Sequence, residues 1–189
     1  MSDLLVAAAL LWEKDGFNRW DDGEIACTVR MFDCALRVME SDAVRWALIH
    51  VQYDGPQPTL AMRTGHADPS RAPRPDMNIR LGTALVHVEA KRLHVRDGLP
   101  KDYVKKGMIR FIDGRYPAAG HNIGAMLAYL LKDSPQDSLQ AVNGVISREQ
   151  ALGQSHLLGN STQAAPRLSI HISSHGSKLR LFHHLLDMR

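Results

Sequence analysis

The stretch PDMNIRLGTALVHVEAKRL, residues 75–93, decides the fold class, because two runs of alternating apolar and polar residues flank a glycine. Glycine at the first central position of a two-residue connection is what a type II′ hairpin requires, so Gly82-Thr83 is read as its turn. Leu81 then pairs with Ala84, Ile79 with Val86, Met77 with Val88, Asn78 with His87, and Asp76 with Glu89. Side chains alternate between the faces of a strand, so Met77, Ile79, Leu81, Ala84, Val86, Val88 and Ala90 form an apolar surface for helices to cover. The opposite face carries Asp76, Asn78, His87, Glu89 and Lys91.

That polar face is a candidate catalytic site. Directly opposed residues have Cβ atoms about 5 Å apart, from which two carboxylates can converge on one ion. Unaided, the carboxylates repel; a cation held by oxygen ligands removes that cost, and Mg²⁺, with Mn²⁺ as a substitute, suits carboxylates plus a phosphate. Lys91, two residues beyond Glu89 on the same face, can hold and polarise a water for attack on a phosphodiester. Glu-x-Lys alone arises by chance about once in every chain or two of this length, and is more often a surface ion pair. The weight lies in its coincidence with Pro75-Asp76, the strand period and the glycine turn.

Downstream, 101–113, 123–131 and 137–152 read as three helices, followed by a polar stretch at 153–166, a strand at 167–173 and a last apolar segment at 179–188. Upstream, 3–14 is a short Ala- and Leu-rich helix. Asp21-Asp22-Gly23 offers polar capping for a second helix reaching about residue 40. Ile25, Val29, Phe32, Leu36 and Met39 are spaced by 4, 3, 4 and 3, which predicts the buried stripe of that helix. Residues 43–53 have strand composition. Five of the nine prolines fall in 54–75, predicting a loop long enough to line a site. The sum is an α/β protein, a mixed β-sheet with helices on both faces, in one domain over 1–189 with its core at 22–113.

At 44% hydrophobic and 23% charged residues the composition is that of a soluble globular chain. The net charge of +3 favours approach to a phosphate backbone without identifying one as partner. Cys27 and Cys34, about 10 Å apart on one helix, are too distant for a disulfide and are expected to be reduced, in keeping with the cytoplasm. Residues 4–12 are too short to span a bilayer and lack a basic leader, so no membrane association is expected. The ten histidines show no zinc-binding spacing, and His183 and His184, being adjacent, point apart. Gly114, Gly120 and Gly124 lack the spacing of a phosphate-binding loop.

Pro75-Asp76, twelve intervening residues, then Glu89-Ala90-Lys91 resembles the signature of the PD-(D/E)xK, or restriction-endonuclease-like, nuclease superfamily. The resemblance implies a metal-dependent nuclease core of a helix, a three-stranded meander, a further helix and a fourth strand. It implies that Asp76 and Glu89 bind divalent ions, that the Ala90 carbonyl also touches metal, and that Lys91 assists the attacking water. Glu24, at the start of the second helix, is the candidate for an additional acidic residue, and is equally explained as a favourable helix N-terminal charge. VEAKRL, YVKKGMIRFIDGRY, GAMLAYLL and SSHGSKLRLFHHLLD further resemble an uncharacterised bacterial group of such nucleases associated with phage defence.

Phosphate-positioning candidates are Arg80, Arg92, Lys105, Lys106 and Arg110, with Lys101 and Arg115 near them. His87 is a candidate substrate contact or proton carrier, and Tyr103 and Tyr116 either stack on bases or pack. The expected partner is nucleic acid, DNA ahead of RNA, with a second copy or a defence-complex protein as the protein partner. Alanine at Asp76, Glu89 or Lys91 is expected to abolish cleavage and leave the fold intact. The competing expectation is a catalytically silent nuclease fold that binds nucleic acid or assembles a larger complex.

Overall fold

The run IGAMLAYL, Ile123–Leu130, presents two apolar faces: Ala125, Leu127 and Tyr129 join one buried cluster, and Met126, Ala128 and Leu130 another. Such a strand belongs at the middle of a sheet covered on both sides. The computed structural model describes residues 1–16, 23–58, 60–116, 122–175 and 179–189, and in it this run is β4 of one seven-stranded sheet. The other strands are β1 (Ile49–Tyr53), β2 (Met77–Leu81), β3 (Ala84–Leu93), β5 (Gly159–Ala165), β6 (Leu168–His175) and β7 (Leu179–Asp187). Their order is β1-β2-β3-β4-β7-β6-β5, with β3, β4 and β7 mutually parallel and every other neighbour antiparallel.

Helices α1 (Ser2–Asp15) and α2 (Glu24–Ser41) cover one face, through Leu4, Leu5, Ala8 and Trp12 of the first and Cys27, Met31, Cys34 and Ala35 of the second. The other face is covered by a helical stretch over 99–112, made of α5 (Leu99–Asp102), a π-helical segment Tyr103–Met108 and α6 (Ile109–Ile112), together with α7 (Pro135–Ile146). Two shorter helices, α3 (Ala43–Trp46) and α4 (Leu60–Arg63), lie beside β1 in the sequence. The expected mixed sheet with helices on both faces is therefore present.

Five expectations about individual elements are corrected. The 123–131 run is a strand, because an apolar segment buried on both sides has no period to separate it from a buried helix. Residues 43–53 divide into α3 and β1, since the Asp42 side chain accepts the Arg45 N–H and caps a helical turn. The 137–152 helix ends at Ile146, and the polar stretch 153–166 contains edge strand β5. The predicted α2 stripe is misplaced: Ile25 is 73% and Val29 44% exposed, while Cys27, Thr28, Met31, Cys34 and Ala35 are buried. Small side chains at Cys27, Thr28, Cys34 and Ala35 let α2 lie close to the sheet and α1, while Phe32 and Met39 of the predicted stripe pack partly buried against the same core. Gly23 provides the N-cap of α2 without a side-chain bond; Asp21 and Asp22, like Gly120, lie outside the described residues. Cys27 and Cys34 are buried thiols, as expected, and are not in a disulfide.

On β6, Ser169, His171, Ser173 and His175 alternate along one buried face, and His171 pairs across to His183 on β7. Ser173 Oγ lies 2.7 Å from ring nitrogens of both His175 and His183, and Tyr103 Oη is 2.8 Å from Nδ1 of His183. Burial, with His156 nearby, lowers the pKa of His175 to about 4, and burial lowers that of His183 as well. A histidine depressed in the fold favours folding above its unfolded pKa, near 6.5, and loses that contribution as pH falls toward its folded value. Between pH 6.5 and 5 the loss from His175 alone should be about 2 kcal/mol. Because Asp76, with its pKa raised to about 6, gains stability over the same range, the check is urea unfolding of wild type and His175→Gln at pH 7 and pH 5; an equal pH response in both would refute it.

Candidate active site

The hairpin has the predicted register: Leu81 pairs with Ala84, Ile79 with Val86, Asn78 with His87 and Met77 with Val88. Gly82 has φ of 57°, as a turn with glycine in its first central position requires. Glu89 and Lys91 therefore share a face of β3, and that face lies under the 99–112 helical stretch. Gly107 permits the approach, since a Cβ there would sit 2.5 Å from Cε of Met126 and 3.5 Å from Cγ of Lys91. Glu24 arrives from the first turn of α2, and Asp76 from the bend that precedes β2.

Lys91 is the hub. Its Nζ is 2.8 Å from Glu24 Oε1, 3.0 Å from Glu89 Oε1 and 4.0 Å from Asp76 Oδ2, and it donates to the Ala90 carbonyl at 2.6 Å. All four predicted catalytic residues thus come together, with the Ala90 carbonyl among them. Glu24 is more than a favourable helix-end charge: its second oxygen accepts the Arg92 backbone N–H at 3.3 Å, tying the start of α2 to β3.

Asp76 does not face Glu89 as a ladder partner. The β2–β3 ladder stops at Met77 and Val88; Asp76 lies in a bend whose carbonyl accepts the Asp54 N–H. Pro75 has no N–H with which to continue the ladder, and the Ala90 N–H would be left without an acceptor. The Asp76 carboxylate supplies one, at 2.6 Å. Burial and then the charge of Glu89 raise its pKa to about 6. Burial acts against the charge of Lys91, but Glu89, Glu24 and Asp76 outweigh it and hold the ammonium above its ordinary pKa. Lys91 is a donor here and not a base.

Glu89 is 0% exposed and is held by two residues whose roles went unrecognised in the sequence. Arg110 Nη1 donates to Oε1 at 2.6 Å and Tyr116 Oη donates to Oε2 at 2.5 Å; Arg110 also reaches the Tyr116 oxygen at 3.0 Å. Burial, followed by the charge of Glu89, raises the Tyr116 phenol pKa. Arg110 was a phosphate candidate and Tyr116 a packing or stacking one. The signal available was the run IRFIDGRY, in which α6 ends, Gly114 takes φ of 77° and the Tyr116 N–H returns to the Arg110 carbonyl, bringing both side chains to one point.

The donor set of Asp76, Glu24, Glu89 and the Ala90 carbonyl is all oxygen and suits a hard divalent cation. Its arrangement is not a ready cage. Among the described residues no three Asp, Glu, His or Cys side chains are grouped to hold a metal. The ammonium of Lys91 and the guanidinium of Arg110 stand where positive charge is needed, so an ion reaching Glu89 must displace at least one of them.

The remaining candidates separate by location. Arg92 and Lys106 line a cleft of about 500 Å³ with Glu24, Lys91 and Arg110, Lys106 being paired with Asp102 at 2.8 Å. His87 is buried beside the site, with Nδ1 2.6 Å from Asn78 Oδ1 and its ring centroid 5.5 Å from that of Tyr116. Lys105 is turned away, paired with Glu149 at 2.8 Å in a separate cleft beside α7, and Lys101 lines that same cleft. Arg80 is exposed on β2 between His50 and Leu85, and lines none of these clefts. Tyr103 is fully buried against His183, which rules out stacking on a base.

The chain matches no protein-family model, no curated protein and no solved structure. Three carboxylates and two cations from four separate parts of the chain meet beside an open cleft. Such a centre can order water, bind a cation and engage an anionic group, while Lys91 donates a hydrogen bond to a developing oxyanion.

Proposed function

We propose that the chain is a metal-dependent nuclease that hydrolyses phosphodiester bonds of DNA. The observation that supports this best is the meeting of Asp76, Glu89, Lys91 and Glu24, from positions up to 67 residues apart in sequence, beside a cleft that Glu24 and Lys91 line. A structural ion pair needs two such groups and no access. Here four are gathered, two of them lining a cleft, and Asp76 is left with a perturbed pKa, a common mark of functional carboxylates.

Asp76, Glu89 and the Ala90 carbonyl would hold Mg²⁺ or Mn²⁺, with Glu24 as an accessory. The ion, when bound, would supply Lewis-acid stabilisation of the phosphate and lower the pKa of a water. Lys91 keeps its proton and donates to that water or to a non-bridging phosphate oxygen. Arg110 neutralises Glu89 before substrate arrives and can turn to a phosphate afterwards. The setting this implies is cytoplasmic, as a phage-defence or DNA-processing nuclease working as a homodimer or with a complex partner. No helix among the described residues is long and apolar enough to cross a membrane.

Incubation of the purified protein with DNA and RNA, each with Mg²⁺ or with chelator, tests the proposal. Cleavage should require the metal. Asp76→Ala and Lys91→Met should each slow it on the order of 10²-fold or more, with circular dichroism unchanged. Metal-independent cleavage, or full activity in both variants, would refute it.

One observation favours a second proposal. Lys91 and Arg110 neutralise the carboxylates internally, as in a centre kept for structure, so the chain could be a silent nuclease fold that binds nucleic acid or assembles a complex. Calorimetric titration with Mn²⁺ separates the two: a catalytic centre binds the ion and loses it in Asp76→Ala, whereas a silent one takes up none.

A further inference from the structure

A second cleft of about 260 Å³ is lined by Arg71, Pro73, Arg74, Arg110, Arg115 and Tyr116. Four of these six residues are arginine and none is acidic, so the cleft selects an anion. Its positive charge is only partly compensated. Arg115 is paired with Asp113 at 2.8 Å, and Arg71 lies 3.8 Å from Asp68 in an exposed, weak pair. Arg74 makes no side-chain hydrogen bond or ion pair with any described residue, and its backbone carbonyl lies 3.4 Å from the Tyr116 hydroxyl. An arginine fork matches the oxygens of a phosphate in both spacing and planarity.

Arg110 lines this cleft and also the larger one that holds Lys91, Arg92 and Lys106. Glu89 takes hydrogen bonds from Arg110 and Tyr116 of this cleft and lies 3.0 Å from Lys91 of the other, so the acidic centre adjoins two cationic clefts that share one arginine. A pocket that received only a chain end would need positive groups on one side of the reacting bond. Here they line both clefts that meet at Glu89.

We propose that a polynucleotide runs through both clefts, with phosphates on one side of the reacting bond held by Arg71, Arg74 and Arg115, so that the bond cut is internal. The internal cut rests on the nuclease proposal; the phosphate subsite does not. The substrate class is thus a chain long enough to occupy both clefts, and closed circles qualify as well as linear molecules. Arg71 and Arg74 belong to the proline-rich 54–75 segment, which gives that long loop a task.

Fluorescence anisotropy of labelled single-stranded and duplex oligonucleotides, with chelator present so that nothing is cut, tests the subsite. Both arginines are exposed, so the Arg71→Gln, Arg74→Gln double variant should fold normally. It should bind about tenfold or more weakly, and the slope of log K against log salt should fall by about 1.4 to 1.8, the loss of two phosphate contacts. Unchanged affinity and slope would overturn the subsite. Displacement of the oligonucleotide by low-millimolar inorganic phosphate would overturn it as a polymer site, leaving a pocket for a lone anion.

Closed single-stranded and duplex circles with Mg²⁺ test the internal cut. Linearisation of circles at a rate comparable to cleavage of linear DNA supports it. Linear DNA degraded from its ends while circles stay intact overturns internal cutting and leaves the nuclease proposal standing. Oligonucleotide binding that depends on Arg71 and Arg74 with no substrate cut would instead refute the nuclease proposal and uphold the subsite.

Discussion

Glu89→Ala should lower the free energy of unfolding by about 3–5 kcal/mol, the usual consequence of removing one member of a buried, hydrogen-bonded charge cluster. Glu89 is 0% exposed, and its two oxygens take Arg110, Lys91 and Tyr116. Truncation leaves the guanidinium of Arg110 facing the cavity without its carboxylate and the Tyr116 hydroxyl without its acceptor. Lys91 is better protected, because Glu24 remains 2.8 Å away. Glu89→Gln keeps the volume and an acceptor for Tyr116, so its loss should be smaller, although either change should stop catalysis. Urea unfolding of the three proteins decides the matter; Glu89→Ala within 1 kcal/mol of wild type would show that the cluster is not holding the fold. This revises the expectation that alanine at Glu89 leaves the fold intact, and makes glutamine the substitution with which to test catalysis there.

Asp76→Asn should have the opposite sign, stabilising the protein at pH 8 while disabling it. Burial and the charge of Glu89 raise the Asp76 pKa from 3.8 to about 6, so the fold disfavours the ionised carboxyl. An acid whose pKa is raised by folding stabilises the native state most when protonated. That advantage is complete below pH 3.8, is lost as pH rises through 6, and is absent above it. Two units correspond to an upper limit of about 3 kcal/mol, and with the side chain 32% exposed, solvent screening reduces this to about 1–2 kcal/mol. Asparagine carries no charge and still offers an oxygen to the Ala90 N–H. The gain should appear in thermal melts at pH 8 and vanish at pH 4. A variant less stable than wild type at pH 8 would overturn the account.

The two substitutions also mark what the sequence could tell. The hairpin register is legible because a turn glycine and alternation over 77–81 and 86–91 act together, and they place Glu89 and Lys91 on one face correctly. The pairing of Asp76 was not, because it depended on where β2 stops, and the side chain of a residue in a bend can serve a neighbouring strand instead of continuing the ladder. β4 was read as a helix since both of its faces are buried, which erases the alternation that would have announced a strand. On α2 the large apolar residues Ile25 and Val29 mask the buried face, because Cys27, Thr28, Cys34 and Ala35 are small and weakly apolar, and it is their size that allows close packing. The grip of Arg110 and Tyr116 on Glu89 spans 21 and 27 residues, a separation at which sequence spacing carries no geometric information.

The six residues of π-helix at Tyr103–Met108 carry a last implication. A π-helical turn is an α-helical turn with one residue added, so everything after it is rotated by about 100° relative to an uninterrupted α-helix. Arg110 follows that insertion, while Tyr103 and Val104, buried in the core, open it. The helix thereby satisfies two masters out of phase with each other: hydrophobic packing at its beginning and an ion pair with Glu89 near its end. A lineage that lost one residue between 103 and 108 would keep the helix and its core and yet swing Arg110 off Glu89. In such proteins the acidic residues would persist without their restraint, a one-residue step between a guarded centre and an open one.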